Sequence, residues 1–153
     1  MSTPLPEKIG HVLESCLYAG DLVAAERFFV DVLGLALHGK QPGRHIFFRC
    51  GQRMVLLFNP AESLQPGTHG GIDFPTHGTT GPGHLCFAIR EAALPGWQAH
   101  LASHGVPIEK IIDWPGGGRS LYFRDPAGNS LELATPRIWG IGEETLAPSL
   151  VRQ

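Results

Sequence analysis

Cysteine is scarce in this sequence. Cys16, Cys50 and Cys86 are its three copies, odd in number and far apart, which excludes a paired disulfide framework and a CxxC-type zinc ribbon. Charge is thin as well. Charged residues make up 17% of the chain and the formal net charge is −2, so no broad basic field exists for nucleic acid or an anionic membrane. No apolar run is long enough to cross a bilayer. The opening MSTPLPEKIGHVLES lacks a basic stretch followed by an apolar one, so no secretory signal is expected. A reduced, cytoplasmic setting follows as the expectation.

What is present is ordinary globular composition, 42% hydrophobic over 153 residues, enough for one domain spanning 1–153 without disulfide staples. Within it the chain repeats itself. GRHIFFRCGQRMVLLFNP (43 to 60) and GRSLYFRDPAGNSLELATP (118 to 136) share Gly, Arg, an aromatic-rich strand, Arg, a polar turn, a second apolar strand and Pro in one order. Upstream, HVLESCLYAGD lies over GPGHLCFAIRE, so that Glu14 meets His84 and Cys16 meets Cys86. A helical pattern follows each of these strands. In the first copy Asp21 is placed to cap it, Leu22, Ala25, Phe29, Val32 and Leu33 share a face, and Gly34 ends it. In the second copy Trp97 and Leu101 share a face and Gly105 closes the helix. Each half therefore reads β-α-β-β-β, over about 10–60 and 80–136. A loop over 60–83, dense in Gly, Pro and His, joins them and is long enough to be functional or disordered.

A unit of this size cannot cover its own sheet, so the expected fold is α+β: two βαβββ modules whose sheets form a concave, partly closed, barrel-like cup. Strand alternation puts Glu14, Cys16 and Tyr18 on one face, and the same parity gathers His84, Cys86 and Ala88. Under pseudo-twofold symmetry, positions 14, 56, 84 and 132 project into the cup. They are Glu, Leu, His and Glu. Three can bind a metal, and Leu56 leaves the fourth place without a ligand.

The repeated layout, with CLYAGDLVAAERFFVDVLGL, GPGHLCFAI and LYFRDPAGNSLEL, resembles the vicinal-oxygen-chelate superfamily, which includes glyoxalase I, extradiol dioxygenases, fosfomycin-resistance enzymes and bleomycin-resistance binding proteins. The resemblance implies metal ligands on the first and last strands of each half, which fall here on Glu14, His84 and Glu132. Glu14 departs from the His or Gln usual there. Two carboxylates and one imidazole favour a divalent ion such as Mn, Fe, Mg or Zn. Three ligands leave room for a substrate to chelate through two oxygens, and Glu14 could also act as general base. Tyr122, ten residues before Glu132, matches a catalytic position of the dioxygenase pattern. Four-ligand glyoxalase I chemistry is disfavoured by Leu56, and extradiol cleavage by Glu14.

The implied function is a metal-dependent lyase, isomerase or dioxygenase acting on a small oxygenated molecule. The alternative is a metal-free binding protein that sequesters a small molecule, as bleomycin-resistance proteins do. The resemblance allows a cup within one chain or between two, and a homodimer is expected, with neither nucleic acid nor membrane as partner. Other polar residues divide between roles. Cys16 and Cys86 read as pocket wall rather than nucleophiles. His100 and His104 read as a solvated helix flank, and His69 and His77 as exposed rather than a lid. Arg119, Arg124 and Arg137 either hold an anionic substrate group or pair with acids at strand ends.

Overall fold

The computed structural model describes residues 6–69 and 71–146, with Thr68 and His69 as backbone only. Both halves follow the β-α-β-β-β order. In the first, β1 (Glu14–Tyr18) leads to α1 (Leu22–Arg27), β2 (Ala36–Gln41), β3 (His45–Cys50) and β4 (Arg53–Phe58). After the connecting segment come β7 (His84–Ala88), α3 (Leu94–Ser103), β8 (Lys110–Asp113), β9 (Arg119–Arg124) and β10 (Ser130–Ala134). The sheets have matching orders, β1-β4-β3-β2 and β7-β10-β9-β8. First and last strands run parallel in each, and Cys16 faces Leu56 across the ladder as Cys86 faces Glu132. Leu56 and Glu132 thus occupy equivalent places, as the duplicated strands require.

The Asp21 carboxylate accepts from Ala24 N–H at 3.0 Å and caps α1, as its position predicts. The helix then widens into a π turn over Phe28–Val32, and Gly34 ends it at φ 69°. The turn delivers two adjacent aromatics to two different sheets. Phe29 stacks on Phe48 of β3 at 5.5 Å between centroids, while Phe28 lies 6.3 Å from Phe123 of β9. A single apolar cluster consequently contains Leu17, Phe48 and Leu57 from the first sheet and Leu121, Phe123 and Leu133 from the second. Both sheets turn their apolar faces toward the helices. The alternate positions, including Glu14 and Leu56 on one sheet and His84 and Glu132 on the other, look away from that common core.

Asn129, almost fully buried, ties the halves together. Its side-chain oxygen accepts from Gly83 N–H at 2.8 Å, and its amide donates to the Tyr18 carbonyl at 3.2 Å and to Asp125 at 2.9 Å. The two sheets remain separate and are not closed into a barrel, with β1 and β7 at their open edges.

The connecting segment is more ordered than its composition implies. It contains α2 (Pro60–Ser63), capped by Asn59, and a short hairpin of β5 (Thr68–His69) and β6 (Ile72–Asp73). It then crosses the outward face of the first sheet. There Phe74 lies 5.4 Å from the Arg44 guanidinium, and His77 Nδ1 meets the Tyr18 hydroxyl at 2.7 Å. No helix among the described residues is long and apolar enough to cross a membrane.

Candidate metal centre

Alternation on β7 and β10 brings His84 and Glu132 to one face. His84 Nε2 stands 3.3 Å from Glu132 Oε2. The other ring nitrogen is engaged by the backbone. Nδ1 lies 3.0 Å from the Ser130 carbonyl, which can only accept, so Nδ1 donates and Nε2 is the ring nitrogen turned to the carboxylate. Nε2 and Oε2 face each other across 3.3 Å, a place that a cation or a shared proton would fill. Glu132 is 4% exposed and its Oε1 has no hydrogen-bond partner. A buried carboxylate in that state is costly. A divalent ion would satisfy both groups, so the residues fit a metal.

Tyr122 pairs with Glu132 across the antiparallel ladder, and its ring lies 6.3 Å from His84 at 22°. Burial first, then hydrogen bonding to Glu132 and its negative charge, holds the phenol above its ordinary value. The same order of causes, burial and then Glu132, pushes the Cys86 thiol up to about 12. Cys86 is thus held as a neutral thiol beside the site, consistent with wall rather than nucleophile.

Glu14 is placed elsewhere. It lines a cavity of about 640 Å³ on the outward face of the first sheet, with Leu56 beside it. Among the described residues no group of three His, Cys, Asp or Glu side chains is gathered closely enough to hold a metal. One chain thus presents two separate surfaces: His84, Glu132 and Tyr122 on one, Glu14 and Leu56 on the other.

Of the arginines weighed as anion binders, Arg119 pairs with Asp113 at 2.6 and 3.0 Å, and Arg124 with Glu109 at 2.6 and 3.0 Å. Both are strand-end pairs. Arg137 packs over Gly117, which has φ 97° and no room for a side chain. His100 Nε2 donates to the Val32 carbonyl at 2.8 Å, so the ring is tied to the first half's helix rather than solvated. His77 is half-buried rather than exposed, bonded to Tyr18 and edge-on to Phe58 at 4.5 Å. The side chain of His69 lies outside the described residues. Sequence reasoning missed Phe47, Arg49 and Phe58 as cavity wall. Extending the parity of Leu56 along β4 and across to β3 would have found them.

The family profile described as the glyoxalase/bleomycin resistance protein/dioxygenase superfamily matches residues 8–133. The chain belongs to this superfamily. Among solved structures similar to it, a lactoylglutathione lyase from Agrobacterium tumefaciens is 41% identical, with a TM-score of 0.82, over 88% of this chain and 100% of that one. An integron cassette protein from V. cholerae is 25% identical, with a TM-score of 0.66, over 86% and 98%. A superfamily protein from Nocardioides, 20% identical with a TM-score of 0.66 over 86% of both chains, is alike in fold alone.

Proposed function

We propose that this superfamily member is a divalent-metal-dependent lyase or isomerase that moves a proton on a small oxygenated substrate, and that it works as a homodimer. The observation that carries the reading is the His84–Glu132 pair, with Nδ1 of His84 engaged by a carbonyl, Nε2 turned to the carboxylate and Glu132 buried. The lactoylglutathione lyase name of the 41% identical structure supports the reaction class. Leu56, a residue without donor atoms at the symmetry position of Glu132, supports a three-ligand site rather than a four-ligand one.

His84 and Glu132 would hold the ion together with Glu14 from a second copy of the chain. When bound, the ion supplies a Lewis acid. Glu14 contributes a carboxylate that can take a proton from a carbon next to a carbonyl. Tyr122, its phenol kept protonated, donates to a substrate oxygen. Leu56 and Phe47 keep water from one side of the cup.

Closure between two chains is supported by the arrangement of the halves. Their site-bearing faces look away from the shared core, and the edges of β1 and β7 are open to pairing. A twofold dimer that sets β1 of one copy beside β7 of the other would form two barrel-like cups, each with one Glu14, one His84 and one Glu132. The whole chain then acts as one functional domain, since neither half carries a site alone. Its three free cysteines suit a reducing compartment, and we place it in the cytoplasm.

Mixing variants tests this. Glu14→Ala and His84→Ala homodimers should each lose stoichiometric metal and activity. Heterodimers of the two should regain one intact site of two. No recovery in verified heterodimers would mean that the ligands do not come from two chains. Small-molecule binding by both homodimers at the wild-type level without metal, with no turnover in any form, would favour the metal-free binding reading.

A further inference from the structure

The duplication places an arginine at the same point of each half, Arg49 in β3 and Arg124 in β9, each directly after the shared aromatic strand. Their surroundings differ. Arg124 is neutralised by a two-pronged pair with Glu109, just before β8. The matching strand in the first half, β2, reads ALHGKQ and has no acid. Among the described residues Arg49 makes no ion pair or side-chain hydrogen bond; the nearest acid on its face, Glu14, is separated from it by Met54, which faces both across the ladders. Two strand spacings put them about 10 Å apart. Arg49 therefore lines the 640 Å³ cavity with its guanidinium uncommitted.

The rest of that cavity is mainly apolar, with Glu14, His38, His45 and His77 among its polar lining. Phe47 and Phe58 lie 5.8 Å apart at 64° on the sheet, and Phe74 comes over from the connecting segment, held against Arg44. A guanidinium fork recognises a planar carboxylate with two parallel bonds. Aromatic walls take a ring face or edge.

We infer that the substrate is a small aromatic carboxylic acid whose carboxylate pairs with Arg49 and whose ring lies among Phe47, Phe58 and Phe74. This rests on the reading of the cup as a substrate site, and it names the substrate class. A glutathione conjugate, flexible and polar, matches such a wall poorly.

The probe is phenylacetate, titrated calorimetrically into the full-length protein after chelator treatment, so that its carboxylate has no metal to bind. Wild type should bind phenylacetate more tightly than acetate or benzyl alcohol. Arg49→Gln should weaken phenylacetate by about tenfold or more, the loss of a charge-assisted contact, and leave benzyl alcohol unchanged. Phe74→Ala should weaken phenylacetate and not acetate. Arg124→Gln should leave phenylacetate affinity at the wild-type value. Equal binding by wild type and Arg49→Gln, or absence of binding by wild type, would overturn the assignment. Tighter, Arg49-independent binding of S-methylglutathione or of phenyl phosphate would overturn it too. Metal content is measured separately on the same variants. Arg49→Gln should bind metal as wild type does, so a failed metal site and a failed substrate assignment give different results.

Discussion

Replacing Glu132 by leucine, the residue that stands at the equivalent place in the first half, should make the metal-free protein more stable and useless as a metal binder. Glu132 is 4% exposed, with Oε1 unpartnered and Oε2 3.3 Å from His84 Nε2. Relieving one unsatisfied buried polar group is worth about 1–3 kcal/mol. A leucine that packs imperfectly in a site shaped for glutamate gives back up to about 1.5 kcal/mol. The net gain is about 1 kcal/mol, or ~2–4 °C in Tm for a chain of this length. His84 keeps its bond to the Ser130 carbonyl and is half-exposed, so it does not become a buried orphan. The assay is thermal unfolding of chelator-treated wild type and Glu132→Leu, repeated with Mn²⁺. An ion at about 100 times its dissociation constant adds about 2.7 kcal/mol to a protein that binds it only when folded. Wild type should therefore overtake the variant once Mn²⁺ is present, while the variant should not respond. A variant that melts several degrees below wild type without metal, or that gains as much from Mn²⁺, would show that Glu132 is a structural residue and that the proposed ligand set is wrong.

Three further outcomes are expected. Tyr122→Phe should lower kcat by about a hundredfold with metal content unchanged; full activity would remove the phenol from the mechanism. Leu56→Glu adds a carboxylate opposite Cys16 and should raise metal affinity by about tenfold while lowering turnover, because a coordination place open to substrate is filled; unaltered affinity would mean that the first sheet does not meet the ion. Cys86, with its thiol held up to about 12, should resist iodoacetamide at pH 8 and react faster in Glu132→Gln, as peptide mapping can read. The folded-state value lies above the ordinary 9.0, so the stability Cys86 contributes is complete below about pH 9 and declines as pH rises toward about 12. Denaturant midpoints across that range should fall in wild type, and less steeply in Glu132→Gln.

The duplicated pattern was legible because two periods, 2.0 on strands and 3.6 on α1, act through local geometry alone. They gave the order of elements, the Asp21 cap and the shared face of His84 and Glu132. The relation between the halves was not legible in the same way. It depends on Phe28 and Phe29 reaching different sheets through a π turn, and a helical repeat of 3.6 does not announce that turn. The fates of the arginines were also hidden, since Arg124 is neutralised by Glu109 at the approach to the neighbouring strand β8, and strand register is a tertiary property. In the connecting segment, Gly and Pro content concealed a chain held by Arg44 and by the Tyr18–His77 bond.

Asn129 has a consequence for how such a protein ages. Its amide gives two hydrogen bonds, one crossing to the first half at Tyr18, and its oxygen receives one at the threshold of β7. Hydrolysis of that amide to an acid would erase both donors and set a second carboxylate beside Asp125. Like charges would then push at a buried side chain whose hydrogen bonds span the halves. Spontaneous deamidation there would therefore register as slackening between the two faces, with the ligands themselves chemically intact. An old preparation would lose turnover before it lost the ability to bind metal.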